Sequence, residues 1–193
     1  RDFKGDISGK ETEELKATTG QQQNRLLNLA SARRITSAAP IVFDLAKDNT
    51  VALSALRGVV GKNDISKVAG LLDAANAAQL GDYQKALSAS IKSLGAKEQY
   101  EAVSAEMKKA TNKEHFYPIL AATNTNESVD ELQKIGSQAA IRALLRSTNL
   151  KAAAPLLNAA KAGDDNALNG YINLMGNYQK NADSRYEGLN TAM

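Results

Sequence analysis

The chain has 193 residues, 43% of them apolar and 23% charged, with a net charge of +3 and no cysteine. These are values of a chain that folds, not of a disordered one, and the length allows one domain or two small ones around a core of useful size. The missing cysteines exclude disulfides, thiolate catalysis and Cys-based zinc sites, and the dispersed, mildly basic charge lacks the massed stripe of a typical nucleic-acid-binding domain.

The apolar set counts 33 Ala and 22 Leu against 9 Ile and 7 Val, with aromatic residues at 5%. Ala and Leu are the strongest helix formers, whereas strands favour β-branched and aromatic side chains. The expectation is an all-α fold, a helical bundle or short α-solenoid of about eight to ten helices.

Residues 1–9 are polar and read as an arm. Ser8-Gly9-Lys10-Glu11 has capping-box spacing, and a helix is expected to start there. The stretch through Gln21, Leu26, Leu27, Ala30 and Ile35 continues as a long helix weakened at Gly20, or as a second one. Pro40 suits a first helical turn, so a short helix is expected from Pro40 to Lys47. Asn49 or Thr50 caps the next, and Gly61 is read as its left-handed terminator.

Asp64 is read as the cap of a helix through Val68, Leu71 and Leu72, and Gly81-Asp82 as the stop of that segment and the start of the next helix. An amphipathic helix follows over 96–112. Pro118 forces a break near 113–117 and a short helix to Ala122. Ser128-Val129-Asp130-Glu131 reads as a second capping box, Asn149 as a further cap, and Pro155 as a residue that kinks or splits the second copy of a repeat described below. The last helix carries Leu168, Tyr171, Ile172, Met175 and Tyr178, and the polar sequence from Asn181 is expected to fray.

A repeat organises this list. The segment from Asp64 to Ala75 returns from Asn149 to Ala160 at an offset of 85, which pairs Leu71 with Leu156 and Leu72 with Leu157. Gly81-Asp82 is echoed in Gly163-Asp164, and Ala52-Leu53-Ser54-Ala55-Leu56 in Ala140-Ile141-Arg142-Ala143-Leu144. Units near 52–94 and 140–178 would follow, inside a core of 37–180, flanked by an N-terminal segment 1–36 and a tail 181–193. Either the chain contains an internal duplication or an Ala-rich chain repeats a low-information helix. Leu71 to Leu87 resembles a tetratricopeptide helix pair through Ala75, Ala78, Gly81-Asp82-Tyr83 and Lys85-Ala86-Leu87. The resemblance covers one turn and its flanks; no 34-residue array follows, and the family's peptide binding is not carried over.

Chemistry-bearing constellations are sparse. His115, the one histidine, has no Gly-x-Ser-x-Gly nucleophile elbow to serve and reads as structural. Gly58-Val59-Val60-Gly61-Lys62-Asn63 and Gly5-Asp6-Ile7-Ser8-Gly9-Lys10-Glu11 fail the phosphate-loop pattern in spacing and in the residue after Lys. Carboxylate pairs such as Asp130-Glu131 fall at expected helix starts, where the dipole accounts for them. No catalytic, cofactor or metal site is assigned, and no small-molecule substrate is inferred.

The reading is a non-enzymatic structural or assembly protein that self-associates or binds a protein partner. The Ala-, Gln- and Asn-rich composition is similar in texture to phage virion proteins. Arg1 in place of Met reads either as a trimmed fragment or as proteolytic maturation. The sequence names no compartment: neither a signal peptide nor an 18-residue apolar span is recognised. The expected contact surface is Leu26, Leu27, Arg33, Arg34 and Ile35. The alternatives are a helical-repeat binding module, or contact of the basic amphipathic stretch 21–36 with DNA or an anionic membrane.

Overall fold

The computed structural model describes residues 20–192, with side chains through 183. The expected arm, the cap at Ser8 and the loop at Gly5–Glu11 lie outside them. Among the described residues there are eleven α-helices, four short 3₁₀ turns and no strand, as an Ala- and Leu-rich chain requires. The chain separates into two compact units, one ending at Phe116 and the other beginning at Tyr117.

Unit 1 contains α1 (Gly20–Ala32), α2 (Ala39–Leu45), α3 (Thr50–Val59), α4 (Ile65–Asp73), α5 (Ala77–Ile91) and α6 (Ala96–Lys109). α2 pairs with α3 and α4 with α5 as hairpins; α1 stacks on α3, α3 on α5, and α4 on α6. This alternate stacking is the plan of an α-solenoid. Its core is Leu27, Val42, Leu56, Val59, Val68, Leu72 and Leu87, each essentially without exposure.

The local chemistry explains most boundaries. Asn49 Oδ1 accepts from the N–H groups of Val51 (2.8 Å) and Ala52 (3.2 Å), which fixes the start of α3. Asn76 caps α5, with Gln79 reaching back to complete the box. Pro40 lies in the first turn of α2, where its missing N–H costs nothing. Gly61 is not a left-handed terminator: its φ is −134°, and its N–H donates to Asp64 Oδ2 at 2.8 Å.

Unit 2 contains α7 (Tyr117–Ala122), α8 (Asn126–Ile135), α9 (Gln138–Leu144), α10 (Ala153–Lys161) and α11 (Asp165–Ala192). α8 pairs with α9, α10 with α11, and α7 stacks on α9. The 3₁₀ turn Lys113–Phe116 ends where Tyr117 opens α7, so Pro118 lies in the first turn of a new helix and the chain breaks before it. The box at the start of α8 is Thr125 with Ser128, three residues earlier than expected, because Thr125 Oγ1 reaches the Ser128 N–H at 3.1 Å. Pro155 splits the second copy of the repeat and does not kink it: the copy divides into the 3₁₀ turn Leu150–Ala152 and α10, with Pro155 in the first turn of α10. α11 is assigned as helix through Asn181 to Ala192.

The helix pairing is similar in the two units, with α4 on α5 in unit 1 and α10 on α11 in unit 2. Two details differ. Gly163 (φ +102°) makes a true turn and Asp164 caps α11, whereas Gly81 and Asp82 lie inside α5, whose turn is set earlier by Asn76. Burial also follows an offset of 84, not 85. Val68 and Ala152, Leu72 and Leu156, and Ala86 and Gly170 are the buried pairs, while Leu71 and Leu157 are half-buried. A Cβ added at Gly81 would meet open space, and its φ is ordinary. Gly81→Ala is therefore expected to stabilise unit 1 by about 0.5–1 kcal/mol. Gly163→Ala is expected to destabilise unit 2, because an L-residue resists that φ. Thermal melts of the two variants check the contrast.

Candidate functional site

Three places were candidates on chemical grounds. The first surrounds His115. Its Nδ1 donates to the Leu72 carbonyl (2.9 Å), and Gln84 Nε2 donates to the His115 carbonyl (3.0 Å). Next to it, the Asp73 carboxylate accepts the N–H groups of Asn112 (2.6 Å) and Thr111 (3.1 Å), while Asn112 Nδ2 donates to the Asp73 carbonyl (2.8 Å). These bonds tie the end of α4 to the loop after α6. The cluster is a clamp that spends its polar groups on backbone, and it presents no nucleophile.

The Asn112 N–H, then the Thr111 N–H, hold the Asp73 carboxyl below its ordinary value; burial opposes them, and the charge of His115 adds a smaller push downward. A depressed folded pKa gives stability that is present above the unfolded value and is lost as pH falls through the folded one. Asp73→Ala is expected to lower the melting temperature at neutral pH and to flatten the acid loss below about pH 3.8. Melts across pH 2–6, a range spanning that ordinary carboxylate value, check it.

The second place lies where helices end together. Ser31 in α1 and Gly58 in α3 meet closely near their C-termini, while Asn49 before α3 donates to Asn24 near the start of α1 (3.2 Å). The two helices therefore run parallel. A cleft of about 430 Å³ at their C-terminal ends is lined by Ser31, Arg34, Arg57, Gly58, Val60 and Lys92 among others, so α5 also ends there. At the other end of α1 and α3, Asp44 and Asp48 line the groove by the N-termini. Cations at C-termini and carboxylates at N-termini complement the macrodipoles.

Arg34 is unusual within this cleft. Its φ is +53°. Its N–H bonds to the Ser31 carbonyl (3.1 Å) and the Ile35 N–H to the Ala30 carbonyl (2.9 Å). This is a Schellman end with Arg at the position that glycine normally fills. Among the described residues, neither Arg34, Arg57 nor Lys92 has an ion-pair partner.

The third place is the outer face of α11. Ala167, Gly170 and Leu174 face the core of unit 2, while Leu168 (42% exposed) and Ile172 (55%), one turn apart, lie on the other side; Tyr178 (52% exposed) follows Leu174 by four residues and lines a cavity with Leu150 and Leu174. No residue from Gly176 to Asp183 is buried.

The residues singled out from sequence divide sharply. Leu27 (0% exposed) and Ile35 (5%) are core residues of unit 1, packed under α3, and so do not offer a contact surface; Leu26 is half-buried, and Arg33 and Arg34 are exposed. α3 supplies the apolar surface that 21–36 was expected to lack. Arg57 and Lys92 were missed, although a basic residue in the last turn before Gly58 is a readable helix-end signal. The outer stripe of α11 was seen in sequence, but its exposure was not. Among the described residues no group of three or more metal-ligating side chains occurs, and no helix is long and apolar enough to cross a membrane. Comparison with family models, with curated proteins and with solved structures gives no match.

Proposed function

We propose that the chain is a non-enzymatic α-helical assembly protein that associates with a second copy of itself through the outer face of α11. The observation that carries the reading is the exposure of Leu168 and Ile172, one turn apart on one face of α11. From Leu174 to Asp183, roughly 14 Å of α11, no further residue is buried. A helix without tertiary contacts is marginal in water, so such a length gains most from a partner. A copy of the same helix presents the same stripe, and a two-fold pairing of identical faces is the commonest closed assembly. The engagement of His115 with the Leu72 carbonyl supports the non-enzymatic part of the reading. A component of a larger particle, such as a phage virion, is the setting the Ala-, Gln- and Asn-rich composition suggests.

Sedimentation velocity on the full chain tests the proposal. The wild type is expected to associate with rising concentration. The double variant Leu168→Glu and Ile172→Glu is expected to stay monomeric with unchanged helical content, since both residues are exposed. A wild type that remains monomeric at high concentration overturns it.

A further inference from the structure

We propose that the cleft at the C-terminal ends of α1, α3 and α5 binds a phosphoryl group through Arg34, Arg57 and Lys92. The cleft holds about 430 Å³ and has no carboxylate in its lining. It lies in unit 1 and is independent of the outer face of α11.

The competing explanation is that the cations answer the helix dipoles. The magnitudes separate the two. Three converging C-termini contribute about −0.5 elementary charge each, and the α1 end is further satisfied by its own N–H groups. The three side chains bring three full positive charges. About half of that charge is left over in a concave site, where low-dielectric walls focus the field. No described acidic residue takes it up.

Arg34 gives a second, independent argument. A non-glycine residue in the left-handed region is disfavoured, and glycine would close this helix end without strain. The dipole does not need the cation at that position, because Arg33 is its neighbour in sequence. The arginine there carries a conformational cost and places a planar fork of N–H donors at the cleft. Ser31 adds a hydroxyl whose oxygen has no partner among the described residues.

The chemistry of the lining selects the ligand. Two guanidinium forks, an ammonium and a hydroxyl are phosphate ligands. The absence of any aromatic residue from the lining leaves nothing for a nucleobase to stack on. The occupant is therefore a compact phosphate group, free or on a small molecule, and not the backbone of a nucleic acid.

Titration calorimetry of the full-length protein with inorganic pyrophosphate at low ionic strength tests this, beside a single-stranded oligothymidylate arm. The expected result is saturable 1:1 pyrophosphate binding that weakens as salt rises. Arg57→Gln and Lys92→Gln should each weaken it about tenfold, the loss of one charge-assisted contact. Arg34→Gly should weaken it as much while leaving the melting temperature unchanged or higher, which a merely structural role would not produce. Lys134→Gln, an exposed cation on α8, should have no effect. Absence of saturable pyrophosphate binding overturns the proposal, as does binding reduced equally by Lys134→Gln. Oligothymidylate binding without pyrophosphate binding also overturns it, in favour of a nucleic-acid backbone.

Discussion

Leu27→Ala is expected to destabilise unit 1 by about 2–5 kcal/mol, while Leu26→Ala, one position away, costs under about 1.5 kcal/mol. Leu27 has no exposed surface, and α1 packs along α3, which lies at the centre of its layer between α1 and α5. Truncation removes the transfer free energy of the side chain and leaves a cavity bounded by helices on more than one side. Ala30 (2% exposed) and Ile35 (5%) belong to the same contact, so α1 cannot leave without opening the core. Denaturant melts of the two variants check the difference. A Leu27→Ala protein with unaltered stability but impaired association would restore the view of 21–36 as a partner-binding segment.

The helical class and many element ends were legible because they are local. Asn49, Asn149 and Asp164 cap through bonds to N–H groups two or three residues away, and Pro118 breaks its helix through its own ring. Choices between two plausible local signals were not legible. Gly81-Asp82 and Gly163-Asp164 look alike as dipeptides, yet Asn76 and Gln79 start α5 before Gly81 is reached, and only Gly163 takes a positive φ. Identity along the repeat matches Leu72 with Leu157; packing instead matches Leu72 with Leu156, because burial depends on which face meets the partner helix.

The candidate sites show the same boundary. Arg34 was visible as one of a basic pair, but its left-handed backbone depends on how α1 ends. Arg57 and Lys92 are 35 residues apart in sequence, and only the parallel stacking of α3 and α5 brings them to one cleft. The stripe on α11 has helical spacing whether it is covered or bare. Exposure is a property of what packs on it, and no pattern within the helix encodes that.

The parallel stacking of α1 and α3 rests on one glycine. Gly58→Ala is expected to destabilise unit 1 by about 2 kcal/mol. In a helix interior the same change is ordinarily favourable by about 0.5–1 kcal/mol, so the steric cost must exceed that gain to reverse the sign. It does so because an added Cβ would meet Ser31, coming within 2.6 Å of its Cα and closer still to its carbonyl oxygen and Oγ. Cα and carbonyl oxygen are backbone atoms and cannot rotate away, so α1 must move from α3. Gly170→Ala in α11 is the control: there the added Cβ meets the tip of the Leu145 side chain, which can change rotamer, and the Leu145 Cα is 3.6 Å away. That variant should lose less than about 1 kcal/mol. The companion change Ser31→Gly removes Oγ but leaves the carbonyl oxygen and Cα in place, so it should rescue Gly58→Ala only in part. Full rescue would mean that the hydroxyl alone sets the helix separation. A Gly58→Ala protein as stable as the wild type would mean that the backbones of α1 and α3 do not approach at Ser31. The cleft that depends on that approach would then lose its geometry.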